Sequence, residues 1–499
     1  MERAVLILSM VLYFLALVLI GIFSRQESHS IDGYYAAGKK LRFWIVSFST
    51  NATGESSWLL LGLTGMGYAF GLHAAWVILG EALGVGISWF LMSRPFKVFT
   101  DRYDSITVPD YLEDRFADTR HVIRWISSII LITMVTSYIA AQLNACGKTF
   151  SSFLGMDFTT GAIIGLGIIL FYSVVGGLKA VARADFMHGL LMLLGLIALP
   201  AMAVIHCGGL REMFSALGRI DPNLLHFSGA GGFSIQSVYK IAGFIGIGLA
   251  FMGSPQLFVR FIAARNQTEL IYGKWVAIAF VLIIDIGAVL AGMAGRVLFD
   301  GLADQETIMP TLSTELFPAF VTGLFIAIVL AAILSTADSL LILLSSAVIR
   351  DVYQKIINPG VSQRTAVFWG KMMTVIVGVA ALVIAVSESK LSELVFWFVV
   401  FAWSGIGAAF CPVMILSMFW KRTTKAGAVA GMCSGFLITL AWVLYFDKGT
   451  ALLDMMAVPG FFGALAVVWL VSLFTQPPER AAQEHGYVKE KVRGYRVGR

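Results

Sequence analysis

Apolar runs long enough to cross a bilayer recur along the whole of this chain, and no other feature limits its fold so severely. About 30 Å of hydrocarbon needs roughly 20 residues of helix. By hydropathy thirteen stretches qualify: 3–23, 43–71, 74–96, 122–150, 158–177, 184–206, 237–258, 274–298, 316–347, 366–386, 391–419, 426–445 and 455–475. With 58% apolar and 13% charged residues, the chain could not be held by water in a packed soluble form. The sequence therefore predicts an all-α integral membrane protein of about 13 transmembrane helices. The first stretch is read as a membrane helix and not as a signal peptide, because no small-x-small pattern follows it before Arg25.

Lys and Arg set the expected orientation, since cytoplasmic loops collect positive charge. Of the 36, 28 fall after odd-numbered spans, including Lys39, Lys97, Arg183, Arg260, Arg350, Lys421 and the run from Arg480 to Arg499. Arg3, Lys148, Arg211, Arg219, Lys240, Arg296, Lys390 and Lys448 are scattered elsewhere. The N-terminus is thus expected outside and the C-terminus in the cytoplasm of a cell membrane. The formal charge of +6 follows from this topology and calls for no nucleic-acid partner. One transmembrane domain over 1–475 and a short basic cytoplasmic tail over 476–499 account for the whole length.

Several function classes drop out. Cys146, Cys207, Cys411 and Cys433 form no CxxC, and the seven histidines show no metal-ligand spacing. The N-x-T sequons at Asn51 and Asn266 fall in the membrane and on the cytoplasmic side, where they carry no glycan. No GxxxxGK[ST] loop or hydrolase motif is present, so the chain reads as neither an ATP-driven pump nor an enzyme. The oligomeric state has no sequence signature.

Inside the second span lies "STNATGESSWLLLGLTG", Ser49–Gly65, whose first nine residues contain no large aliphatic side chain. Small polar residues in mid-membrane are useful where a helix breaks and its freed carbonyls face a cavity, which predicts a break near Asn51–Ser57. A second interruption, "LAFMGSPQLFVRF" (Leu249–Phe261), sits five spans later. Paired breaks at corresponding positions point to an inverted-repeat transporter with its site where the breaks meet. The repeats are expected at about 43–206 and 237–419, with the first helix peripheral and the last two, about 426–475, outside the repeats.

The ninth span adds "LAAILSTADSLLILLSS", Leu330–Ser346. At about 100° per residue, Ala332, Ser335, Asp338 and Ser339 share one face, with Thr336 at its margin. Hydroxyls, carbonyls and a carboxylate are hard ligands suited to an alkali cation; such hydroxyls also serve as interhelical packing groups. An intramembrane carboxylate such as Asp338 is costly and marks an ion pathway.

These residues resemble the sodium:solute symporter family. The resemblance runs over nearly the whole chain and includes "TVPDYLEDRF" (Thr107–Phe116), "SVVGGLKAVARADFMH" (Ser173–His188), "STADSLL" (Ser335–Leu341) and "FAWSGIGAAFCPVMILSMFWKRTTKAGAVAGM" (Phe401–Met432). The last block is most similar to the sodium/proline branch. The resemblance implies a LeuT-like fold of inverted five-helix repeats and uptake of a small organic solute coupled to Na⁺. It also implies a sodium site made by the carbonyls of Ala52, Glu55 and Ala332 and the hydroxyls of Ser335 and Thr336.

For Asp185 two readings stand. It could form a second cation site with Asp338 and Ser339, or pair with Arg183 or another base. The substrate wall implied by the family's cavity comprises Gly54, Ser56, Ser57, Tyr138, Gln142, Ile247, Phe251, Pro255, Trp403 and Ser404. Gly54 stands where the proline branch has an aspartate, and Ile247 and Phe251 where it has a tryptophan and a tyrosine. Loss of these polar groups is enough to change the preferred solute, so an amino compound is expected, with proline the first to assay. A carboxylate, betaine or sugar carrier is the alternative; a transporter-like sensor would carry an output domain behind the bundle. Glu81 and Asp285 are two further acids in apolar surroundings. Glu81 could pair with a polar group of the broken helix or face a vestibule.

Overall fold

The structure, a computed structural model, describes residues 2–24, 30–230, 232–387, 395–446 and 456–495. Arg25, Lys390, Lys448 and the last four residues of the tail lie outside these. Everything described is helix, turn or loop, apart from one bridge between Leu41 and Ala264.

In chain order the helices are α1 (Glu2–Ser24), α2 (Ile31–Ala36), α3 (Phe43–Ser57), α4 (Thr64–Phe70), α5 (Ala75–Ile87), α6 (Ser93–Arg102), α7 (Val108–Arg115), α8 (Val122–Leu154), α9 (Phe158–His206) and α10 (Leu210–Ile220). There follow α11 (Ile235–Gly246), α12 (Pro255–Ala263), α13 (Gln267–Leu298), α14 (Ile308–Leu316), α15 (Ala319–Ser346), α16 (Gln363–Ser387), α17 (Val395–Phe419), α18 (Lys425–Tyr445), α19 (Ala457–Phe474) and α20 (Ala481–Gly494). Among the described residues ten helical stretches are long and apolar enough to cross a membrane, against the thirteen spans read from hydropathy. The difference lies where helical structure runs on past a span's end. Spans 43–71 and 74–96 belong to one 60-residue stretch and 158–177 and 184–206 to one of 49 residues, while α1 carries a shorter apolar segment, Leu8–Ser24.

The interruptions are local and have visible causes. Ser56 takes φ +51° and ψ −167°, so the helix turns away after Glu55 as expected. In the second broken helix, α11 tightens into a 3₁₀ stretch over Ile247–Met252, Gly253 reaches φ +152°, and Pro255 opens α12 at its first turn. Proline is pre-organised for that position because its missing N–H is not needed there. Within α9, Gly177 (φ +57°) marks the bend between two spans, and a Cβ there would come 2.7 Å from the Tyr34 carbonyl oxygen.

At the centre, α15 packs against α1, α3, α8 and α9. The first helix buries Met10, Tyr13 and Leu17 on this core and leaves Leu8, Leu12, Leu15 and Phe23 exposed, as a helix at the bundle edge does. Exposed Leu194, Trp275, Val383, Leu437 and Phe474 extend the apolar belt that a bilayer covers.

Glycines set the closest helix contacts. A Cβ on Gly84 would come 2.0 Å from the Gly248 carbonyl oxygen, which locks α5 onto the second break. Gly84→Ala should therefore lower the unfolding temperature in detergent, at a cost of about 1–3 kcal/mol for over-packing. Gly86→Ala, with nothing within 4 Å, is the control. Equal melting of the two variants would contradict this packing.

The tail is more than a basic extension. Its residues Ala481–Gly494 form α20, which lies along α6 with Ala481, Glu484 and Val488 buried. Arg115 Nη1 lies 3.6 Å from Glu484, Arg94 donates to the Val492 carbonyl at 2.5 Å, and Arg480 donates to the Asp114 carbonyl.

Candidate functional site

Where α3 loses its helical path, its carbonyls meet hydroxyls of α15. Ser335 Oγ lies 2.9 Å from the Ala52 carbonyl oxygen and 3.1 Å from that of Ala332. Thr336 Oγ1 lies 3.0 Å from the Thr53 carbonyl oxygen and 3.5 Å from Ala332. All of these residues are buried. Ala52, Ala332, Ser335 and Thr336 are thus brought together, and Glu55 lies three residues after Ala52 at the end of the same helix. The Glu55 carbonyl accepts the Trp58 amide and keeps a second lone pair, while the Thr53 carbonyl, absent from the sequence reading, meets Thr336. Each hydroxyl oxygen keeps lone pairs beyond the proton it donates, so hard oxygens of both helices are gathered between α3 and α15.

One helical turn away lies a guanidinium. Arg260 of α12 is wholly buried and sits 3.1 Å from Asp185 Oδ2. It also donates to Ser49 Oγ (3.0 Å), to Thr53 Oγ1 (2.9 Å), to Ser339 Oγ and to the Gln256 carbonyl. Ser49 Oγ donates to Asp185 at 2.6 Å. Asp338 receives the Tyr172 hydroxyl at 2.6 Å and Ser339 Oγ at 3.1 Å. Oxygens of Asp185 and Asp338 and a His188 nitrogen do lie within 4.8 Å of one another. Of the two readings of Asp185, the ion pair with Arg260 matches the pairing with a base, while Asp185 and Asp338 still lie close enough to share a cation. The pairing base is Arg260 and not Arg183, which donates to Ser24 Oγ at 3.0 Å.

Around the two breaks the expected wall residues are all enclosed. A Cβ on Gly54 would come 2.7 Å from Phe251 Cε1, and Phe251 stands edge-on to Trp403 with ring centroids 5.0 Å apart. Trp403 Nε1 donates to the Ile247 carbonyl at 2.9 Å, tying α17 to the break. The Ser57 amide donates to Gln142 Oε1 at 3.3 Å, and the Trp58 amide to Ser56 Oγ at 3.3 Å. Pro255 heads α12 behind Ser254, whose Oγ donates to the Ala250 carbonyl at 2.6 Å. Ser57 Oγ, Gln142 Nε2, Tyr138 OH and Ser404 Oγ are buried without a hydrogen-bond partner. Buried polar atoms are normally satisfied, so these four are unspent donors and acceptors beside the breaks. The Glu55 carboxyl is turned elsewhere, to Glu81 and Asp285.

Ion pairs fasten both ends of α8. Near its start Arg124 meets Asp110 (2.9 Å), Glu113 (2.7 Å) and Asp351 (2.6 Å). Near its end Lys148 meets Asp304 (3.1 Å) and Glu306 (2.9 Å). Burial pushes the Asp110 carboxyl up, but Arg350 and Arg124 pull harder and leave it below the ordinary carboxylate range. That stabilisation is present above about pH 4 and is lost as the pH falls through the lower folded value.

A profile of the sodium:solute symporter family matches residues 34–435. The high-affinity proline transporter PutP of Bacillus subtilis (strain 168) is 33% identical over 473 residues, covering 94% of this chain and 98% of that one. The osmoregulated proline transporter OpuE of the same strain is 30% identical over 495 residues, with 98% of each covered. The sodium/proline symporter of Staphylococcus aureus (strain JH9) is 30% identical over 479 residues, covering 93% of this chain and 92% of that one. Among solved structures, a substrate-bound outward-open Na⁺-coupled sialic acid symporter superposes with a TM-score of 0.79 at 20% identity, covering 95% of this chain and 98% of that one, and shares its fold. From the motifs, the broken helices and these matches together, the chain belongs to the sodium:solute symporter family.

Proposed function

We propose that this protein imports a small amino compound, proline being the first candidate, together with Na⁺, by alternating access. The observation that carries the reading is the junction of α3 and α15, where Ser335 and Thr336 meet the carbonyls of Ala52, Thr53 and Ala332. An ion bound there would hold the broken helix in one shape, and that shape presents the wall of Gly54, Ser56, Ser57, Tyr138, Gln142, Ile247, Phe251, Pro255, Trp403 and Ser404 to the solute. Each ligand then tightens the other by the same factor. Residues 43–206 and 237–419 act as the two repeats, with the N-terminus outside and the C-terminus in the cytoplasm of the cell membrane. The Arg124 ion-pair group serves as the inner closure and the Lys148 group as the outer one.

The energy suffices for concentrative uptake. One Na⁺ moving down 100 mV supplies about 2.3 kcal/mol, and a tenfold gradient about 1.4 kcal/mol more. Together they support accumulation of a neutral solute by about several hundred-fold. Three curated relatives are named as proline carriers, which supports an amino compound.

Competition in cells expressing the protein tests the solute class. Radiolabelled proline uptake should be suppressed by cyclic and N-substituted amino acids, and untouched by sugars or simple carboxylates. Suppression by one of those other classes, with none by amino compounds, would overturn the reading of the solute and leave sodium coupling standing.

A further inference from the structure

Glu55, Glu81 and Asp285 come from three different helices, α3, α5 and α13, and meet beside the break. Each side chain is wholly buried. One carboxyl oxygen from each lies within 4.8 Å of those of the other two. None of the six oxygens accepts a hydrogen bond from a protein donor. A carboxylate offers only acceptors and a protonated carboxyl one donor, so the three can sit together only by holding protons and a cation between them.

Their surroundings supply no balancing charge. The charged groups acting on each member of the trio are the other members, with no Lys or Arg of the described residues among them. Asp185 meets Arg260, and Asp304 and Glu306 meet Lys148; this trio has no such partner. A buried charge persists only when it is paired or coordinates a metal. The buried phenol of Tyr138 stands in the same region as Glu55 and Glu81.

The spacing suits one hard ion. Three oxygens held about 2.4 Å from a common centre are at most about 4.8 Å apart, a distance typical of large hard cations. The helices carrying the acids are clamped in place. Gly80 and Gly84 of α5 lie against the backbone of Ile245 and Gly248, and a Cβ on Gly292 of α13 would come 2.0 Å from the Thr64 carbonyl oxygen. Mg²⁺ sheds its water reluctantly, which disfavours it in a pocket without a water-facing oxygen.

We infer that Glu55, Glu81 and Asp285 form a second sodium site, separate from the junction of α3 and α15. This inference rests on sodium being the coupling ion and adds a second ion to the transport cycle.

Equilibrium binding of ²²Na⁺ to the purified full chain in lipid nanodiscs tests it. The parent should bind two ions per chain. Asp285→Asn and, separately, Glu81→Gln should each bind one, because the amides keep the shape and remove the charge. Ser335→Ala/Thr336→Ala should also bind one, and its combination with Asp285→Asn none. The ion retained by each amide variant shows that it is folded. A parent that binds one ion, or amide variants that still bind two, would overturn the acid site. If only the Ser335/Thr336 variant leaves the count unchanged, it is the junction that has been misassigned. Displacement of one ²²Na⁺ by micromolar Ca²⁺ in the parent but not in Asp285→Asn would make the site divalent and overturn it as a sodium site.

Discussion

Ser335→Ala/Thr336→Ala should bring sodium-driven uptake close to background, while each single change raises the sodium concentration for half-maximal uptake by about tenfold. The two hydroxyls bridge the helices by meeting the carbonyls of Ala52, Thr53 and Ala332. Losing one polar contact in a buried site is worth about 1–3 kcal/mol, or roughly one to two decades of affinity. Removing both also separates α15 from the freed end of α3, so the broken helix loses what aligns it. Sodium titrations of uptake in cells, with expression of each variant matched, provide the measurement. Normal transport by the double variant at low sodium would show that the junction is a packing contact only.

Arg260→Gln is expected to be still more damaging. The guanidinium balances Asp185 and donates to Ser49, Thr53 and Ser339 in a place where none of these groups reaches water. Removing one partner of a buried pair costs about 3–5 kcal/mol, because the other charge is left uncompensated. The variant should therefore melt at a lower temperature in detergent and transport poorly. Arg260→Gln/Asp185→Asn should regain much of the lost stability, since neither charge is then stranded. If the single variant is as stable as the parent, or the double variant is no better than the single, Arg260 is not the counter-charge of Asp185.

What the sequence disclosed, and what it hid, follows from the kind of signal each feature leaves. The breaks were legible because Ser56 lies in a polar run within an apolar span, and because Gly253, Ser254 and Pro255 cannot continue a helix. The junction was legible on the α15 side, where spacing alone puts Ala332, Ser335 and Thr336 together. On the α3 side the contacts to Ser335 and Thr336 are made by carbonyls, and a carbonyl has no side-chain signature, so Thr53 was not read from the sequence. Arg260 was counted with the loop cations that follow the seventh span, although it lies five residues after Pro255 on α12 and points into the core. Glu81 and Asp285 stood out singly as acids in apolar runs, but their meeting with Glu55 depends on how three distant helices pack. The docked tail helix left a readable sign in Ala481, Glu484 and Val488, three buried positions at helical spacing within a segment whose basic charge suggested a free end.

The central claim is that an inward sodium gradient drives this protein to concentrate its solute. Purified full chain in proteoliposomes, loaded with potassium buffer and placed in sodium buffer with labelled proline, should accumulate it above the external concentration. The accumulation should rise when a potassium diffusion potential makes the lumen negative, and collapse when monensin dissipates the sodium gradient. Equal proline entry with sodium or potassium outside, or entry that never exceeds the external concentration, would contradict the account.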